Sequence, residues 1–249
     1  MPETPFLSVC IPSYAMGGHG AAYLRQSLDV LSGQSFDDFE VVVADQSEDQ
    51  EIADLCVEYG ALNLRHMRTD QLKRQASANT NAAIDAARGE VVKVLFQDDF
   101  LNGSLALARI AAVFANADWC LTGSAHTSDG QTQFRPMVPR YHNRIHFGKN
   151  TVSSPSVLAF RRAGAPRFDE NLVWLMDVDF YRRCADQLGA PAILPEPLVV
   201  NRLHDGQVSA GVDRGLVRKE LRYVRQKYAG DMSWGDWLHY MGRMRRTFF

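Results

Sequence analysis

The chain has 249 residues, 46% hydrophobic and 22% charged, with a formal net charge of -2. That is enough apolar sequence to bury one α/β core, and the near-balanced charge excludes a general basic field for nucleic acid. Four scattered cysteines, Cys10, Cys56, Cys120 and Cys184, form no CxxC pair and read as buried free thiols in a reducing compartment, not as disulfides or a zinc site.

In chain order, residues 6–11 predict a first strand, stopped by Pro12. Residues 13–20 form a loop whose glycines permit positive φ or close approach to a ligand; it carries neither a dinucleotide fingerprint nor a P-loop. A helix over 21–31 follows, with Tyr23, Leu24, Leu28 and Leu31 near one face and Gly33 at its stop. Residues 39–44 make the second strand, with Asp45 just beyond it. Ser47-Glu48-Asp49-Gln50 has the form of a capping box, and Ile52, Leu55, Cys56 and Tyr59 then fall at i, i+3, i+4 and i+7 before Gly60. A short strand at 62–67 and an alanine-rich helix at 73–87 lead to Val91-Val92-Lys93-Val94-Leu95-Phe96-Gln97-Asp98-Asp99-Phe100.

This last run predicts a buried parallel strand that delivers two carboxylates to its C-terminal rim, where ligands bind in open α/β sheets. Hard oxygens there suit Mg²⁺ or Mn²⁺ carrying a phosphate, while the bland reading is an acidic turn before Asn102-Gly103. The strand–helix alternation implies right-handed βαβ units, a parallel sheet and a nucleotide-binding type of N-terminal half.

Beyond it, 104–114 reads as a helix and 119–122 as a strand. Residues 124–150 are polar and turn-rich, with His126, His142, His146, Arg135, Arg140, Arg144 and Lys149, and read as a functional loop or lid. A strand at 157–160, a helix over 177–188 closed by Gly189, and a last strand at 198–203 precede His204-Asp205-Gly206. From Arg214 the chain is helical and mixes cations with aromatics, a pattern that fits an anionic bilayer surface, a helix packed on the domain, or a homodimer contact. The N-terminus lacks the basic and long apolar regions of a signal peptide, and no apolar run approaches the roughly 20 residues that span a bilayer. The expectation is a cytoplasmic protein, peripheral at most to the inner face of a membrane.

Taken together, Ser8-Val9-Cys10-Ile11-Pro12-Ser13-Tyr14, Glu40 through Ser47, Asn79, Phe96-Gln97-Asp98-Asp99, Ser153-Ser154-Pro155-Ser156, Trp174 through Asp179 and His204-Asp205-Gly206 occur in a telling order. In this the chain resembles the family 2 glycosyltransferases, inverting enzymes that use nucleotide-sugar donors, over residues 7–209. The resemblance implies a GT-A fold: an α/β domain with a Rossmann-like, mostly parallel central sheet flanked by helices, a C-terminal acceptor-side region and a helical tail. It implies a domain over 1–213, with a nucleotide-sugar half at about 1–123, an acceptor half at about 124–213, and a helical extension at 214–249.

By the same resemblance, Pro12, Ser13, Tyr14, Asp45, Asn79, Gln97 and Asp98 bind the nucleotide sugar, with Asp45 accepting from the nucleobase and UDP-sugars favoured. Asp98 and His204 hold Mn²⁺ or Mg²⁺, and Asp177 is the general base. Asp99, Ser154, Pro155, Ser156, Trp174 and Asp179 lie on the acceptor side, facing a saccharide or lipid-linked acceptor in polysaccharide or glycolipid synthesis. Two positions depart from the family pattern. Phe96 stands where the first acid of the DxD motif commonly lies, and Met176 stands before Asp177 where another acid is usual. They keep open a catalytically impaired nucleotide-sugar-binding protein; a nucleotidyltransferase would be expected to carry a glycine- and lysine-rich phosphate loop, which is not seen.

Overall fold

The structure, a computed structural model, describes residues 4–69, 75–207 and 211–248. Lys73, the predicted start of the alanine-rich helix, and Ser209, the end of the resemblance, lie outside the described residues. The N-terminal half alternates as expected: β1 (Leu7–Ser13), α1 (Gly20–Ser32), β2 (Phe39–Asp45), α2 (Glu51–Glu58), β3 (Leu64–Arg68), α3 (Ala76–Ala86) and β4 (Val91–Val94). There follow β5 (Phe100–Leu101), α4 (Ala106–Val113), β6 (Trp119–Thr127), β7 (Phe134–Met137), β8 (Leu158–Arg161), α5 (Met176–Leu188), β9 (Ala192–Arg202), α6 (Arg214–Lys227) and α7 (Trp234–Arg245).

The strands form one sheet in the order β3-β2-β1-β4-β8-β6-β9-β5, with β7 paired to β6. Pairings β1–β2, β1–β4, β2–β3 and β6–β9 are parallel, whereas β8 runs antiparallel to both β4 and β6. β5 and β7 are likewise antiparallel to β9 and β6, so the sheet is mixed, with β1, β2, β3, β4, β6 and β9 running one way and β5, β7 and β8 the other. The antiparallel β8 matters for the site, because it brings its N-terminal approach, Ser154-Pro155-Ser156, to the rim where β1, β2, β4 and β9 end.

Two local expectations need correcting. β1 does not stop at Pro12 but runs through it to Ser13. Cys10 O accepts from Leu95 N and Ser13 O from Gln46 N, so even-numbered residues face β4 and odd-numbered ones β2. Pro12 thus faces the β4 side beyond the last register pair, Cys10–Val94, where no ladder bond needs its missing N–H. The capping box at Ser47 does not form either. Ser47 N donates to Asp45 Oδ1 at 2.8 Å, which turns the chain back after β2, and α2 starts only after Gln50.

Residues 124–150 are less loop-like than their polarity predicts. β6 continues to Thr127, β7 pairs with it, and a 3₁₀ turn at Ile145–Phe147 buries both of its named ends. Polar residues of β6 face inward with partners: Ser124 Oγ bonds Ser153 Oγ, and Thr127 Oγ donates to Asp129. Satisfied polar groups can sit in a buried strand and erase the alternation that sequence reading relies on. All four cysteines are free and buried. Among the described residues no helix is long and apolar enough to cross a membrane.

Candidate active site

The parallel strands end on one side, and that rim gathers most of the predicted site residues. At its first corner, Asp45 is fully buried at the end of β2. Its carboxylate takes the Ser47 N–H, His66 Nε2 at 3.0 Å and Arg68 Nη1 at 3.2 Å. A carboxylate removed from water needs such partners, and here β3 supplies two of them. Asn79 on α3 is a strut: its Nδ2 donates to Ser13 O and Ala44 O at 3.0 and 2.9 Å, and its Oδ1 accepts from Thr69 Oγ. Gln97 is a second one, with Oε1 accepting from Tyr14 N at 2.6 Å and Nε2 donating to Tyr14 O at 2.8 Å. Both amides hold backbone, fixing the ends of β1 and β2 and the loop that presents the exposed Tyr14 ring. Gly20 completes the fit, since a Cβ there would collide with the Tyr14 carbonyl.

The two acids after β4 part company. Asp98 stays partly exposed, its Oδ2 3.0 Å from His204 Nε2 just past the end of β9, and this bond raises the imidazole above its ordinary pKa. Asp99 turns inward. It accepts from Ser154 Oγ, Asn201 Nδ2 and Arg202 N at 3.1, 2.8 and 3.0 Å, and burial pushes its carboxyl up, as does the adjacent Asp98 charge. Asp99 therefore belongs to the wall of the site and not to an open acceptor face. Arg202 is likewise held, its guanidinium 4.5 Å over the Tyr23 ring and bonded to Gln26. Among the described residues no group of three His, Cys, Asp or Glu side chains is close enough to hold a metal ion; at this corner of the rim the potential ligands are the pair Asp98 and His204.

Asp177 opens α5. One carboxylate oxygen accepts from Val178 N and the other from Asn150 Nδ2, both at 2.7 Å, and the side chain is half-buried. Burial pushes its carboxyl up to about 7, while those two hydrogen bonds pull the other way. Asp179 points elsewhere: fully buried, it bonds Arg183, Lys227 and Tyr228 and clamps α5 to α6. The helix separates the two acids because residues two apart do not share a face. Trp174 and Arg243 both lie close against Gly148, and the Arg243 guanidinium is 5.6 Å over the Trp174 ring. Ser156 faces inward, its Oγ accepting from Phe96 N and its carbonyl from the buried Lys93.

A chain of hydrogen bonds connects Asp177 to the Asp98–Asp99 corner. Asn150 Nδ2 bridges Asp177 and the Ser153 carbonyl; Ser153 Oγ donates to Asn201 Oδ1 at 2.8 Å; Asn201 Nδ2 reaches Asp99. Ser153 is held there at φ 113°, outside the comfortable range of a non-glycine residue, which costs on the order of 1–3 kcal/mol and persists only where neighbours enforce it. Sequence reading missed Asn150 and Asn201, and also Glu220 of α6. The Glu220 carboxylate accepts from the N–H groups of Val173, Trp174 and Leu175, the orphan donors that lead into α5, and so carries the segment that presents Asp177. Nothing in one sequence pairs residues so far apart in the chain.

Comparison with known proteins points one way. The family model described as Glycosyl transferase family 2 matches residues 8–166. An uncharacterized protein of Mycobacterium tuberculosis is 28% identical over 231 residues, covering 81% of this chain and 68% of that protein. The fold matches S. aureus TarS residues 1–349, crystallised with UDP-GlcNAc, at a TM-score of 0.70 and 19% identity, over 97% of this chain and 71% of that one. It also matches a mannosyltransferase of Pyrobaculum calidifontis in complex with GDP-Man and Mn²⁺ at a TM-score of 0.61 and 17% identity, over 93% of this chain and 66% of that one.

Proposed function

The chain belongs to glycosyltransferase family 2, and from that premise we propose that it moves a sugar from a nucleotide-diphosphate donor, UDP-sugars foremost, to a saccharide or lipid-linked acceptor with inversion. The product would be a polysaccharide or glycolipid. The reading rests above all on the wall that joins Asp177 through Asn150, Ser153 and Asn201 to the Asp98–Asp99 corner. A proton acceptor then stands at one end of a crevice and a carboxylate–imidazole pair at the other.

In this account the nucleotide lies at the ends of β1 and β2, against the exposed Tyr14 and beside Pro12 and Ser13, and Asp45, fully buried on His66 and Arg68, addresses the base once those contacts open. Asp177 takes the proton from the acceptor hydroxyl as its oxygen attacks the anomeric carbon. The bond from that carbon to the diphosphate breaks, and the nucleoside diphosphate leaves with the electron pair. Trp174 borders the acceptor on the same side. A carboxylate and an imidazole 3.0 Å apart fit Mn²⁺ or Mg²⁺, which typically take few protein ligands and complete their shell with phosphate and water. When bound, the metal neutralises charge on the departing diphosphate. The donor complexes of the two structural relatives support this donor class.

The test is to incubate the purified chain with Mn²⁺ and a panel of UDP- and GDP-sugars, with and without saccharide and lipid-linked acceptors, and to follow diphosphate release. The expected result is release from one donor class, stimulated by an acceptor. Binding of a nucleotide sugar with no release under any condition would favour the catalytically impaired alternative, for which Phe96 and Met176 are the sequence grounds.

A further inference from the structure

The C-terminal helices leave an apolar stripe uncovered. On α7, Trp234, Trp237, Leu238 and Met241 stand at i, i+3, i+4 and i+7, so they share one face, and they are 73%, 39%, 52% and 45% exposed. Tyr240 and Met244 of the same helix are buried against the domain, so α7 is already docked by its other side. The Trp234 and Trp237 rings stack at 5.3 Å and line a groove with Arg225, Gln226 and Met232. Exposed apolar groups gathered this way, rimmed by polar ones, mark an interaction surface.

The charge around the stripe says which kind. Nine of the 27 lysines and arginines fall in 214–249, but only three of the 29 acids, on a chain whose formal net charge is -2. Of those acids Glu220 is buried and Asp236 is paired with Arg144, so Asp231 alone is exposed. Arg225 borders the two tryptophans, Arg245 lies eleven residues on from Trp234 along the same line, and Arg246 follows it; all three are exposed. A second copy pressed onto this face would set arginine against arginine with almost no acid to match. An anionic surface would be matched throughout.

We propose that α7 is an interfacial helix that rests on an anionic phospholipid bilayer, its Trp-Trp-Leu-Met stripe entering the headgroup region and Arg225, Arg245 and Arg246 meeting lipid phosphates. The same helices brace the segment that leads to the base: Arg243 of α7 covers Trp174, and Glu220 of α6 holds the backbone just before Asp177. A lipid-linked acceptor would then be offered beside Asp177, a consequence that rests on the transferase reading, whereas the docking itself does not.

The experiment is flotation of the full chain with vesicles of phosphatidylcholine alone or mixed equally with phosphatidylglycerol, with tryptophan emission read alongside. The wild type is expected to bind the anionic vesicles with a blue shift, to release as salt rises, and to ignore the neutral ones. The double variant Trp234→Ser/Trp237→Ser is expected to lose about tenfold or more in partitioning, with far-UV circular dichroism and diphosphate release from a soluble donor unchanged. Undiminished binding by the variant, equal binding to neutral vesicles, or no wild-type binding would overturn the proposal. So would a dimer that the same two substitutions dissolve in the absence of any vesicle binding, since that assigns the stripe to a second copy. Vesicle binding needs no turnover; an inactive chain that still binds would sink the transfer reading alone.

Discussion

Asp177→Asn is expected to lower kcat by a factor of about 10²–10⁴, the range that a positioned general base contributes, with nucleotide binding unchanged. The amide keeps the size of the carboxylate and its contact with Val178 N, so the variant should fold; what it loses is the ability to take a proton. The pH dependence gives a second, independent handle. A base acts in its deprotonated form, and burial raises Asp177 to about 7, so activity should be present above that pH and fall as pH drops through it. Asn150→Ala removes a hydrogen bond that favours the ionised form, so the acid limb should move to still higher pH. Steady-state rates across pH for the three proteins check both points. Full turnover by Asp177→Asn, or an acid limb that Asn150→Ala leaves in place, would assign the base elsewhere.

The second large effect is at the other end of the crevice. Asp98→Ala is expected to cost about 10²–10³ in kcat and to abolish stimulation by Mn²⁺, since charge stabilisation by a bound metal amounts to several kcal/mol. His204→Ala should act in the same direction but more weakly, by raising the Mn²⁺ concentration needed for half-maximal rate. Asp99→Ala is expected to behave differently, because its carboxylate is bonded within the wall: it should lower thermal stability as well as rate. Mn²⁺ titrations of activity, with melting curves as control, separate these outcomes. An Asp98→Ala enzyme that kept its metal response would move the metal away from this pair.

Much of the fold was legible because the first half obeys simple periodicities. The β-branched runs of β1, β2 and β4 and the stripe Ile52, Leu55 and Cys56 leave little choice of element. The parallel direction of β1 to β4 followed from the strand–helix alternation, but the direction of β8 was not legible. Nothing in the four residues of β8 says that they run antiparallel between β4 and β6, because hydrophobic alternation is blind to polarity along the chain. The run from Ser124 was misread for a related reason: its polar side chains find partners inside. Adjacent or near-adjacent acids were visible in the sequence, but their division was not. Asp98 from Asp99, and Asp177 from Asp179, are separated by partners, His204, Asn201, Asn150 and Tyr228, that lie between 27 and 106 residues away. The same kind of distance in sequence, from Glu220 to Val173, Trp174 and Leu175, hid that contact.

A single carboxylate acting as base implies one direct displacement at the anomeric carbon, and therefore an inverted product. The most direct measurement is the anomeric configuration of the first-formed product, read by proton NMR from a reaction started with an α-linked nucleotide sugar. A β-linked product is the result expected here. An α-linked product would contradict the account, because retention needs a second displacement or a front-face route that the Asp177 end of the crevice was not built to serve.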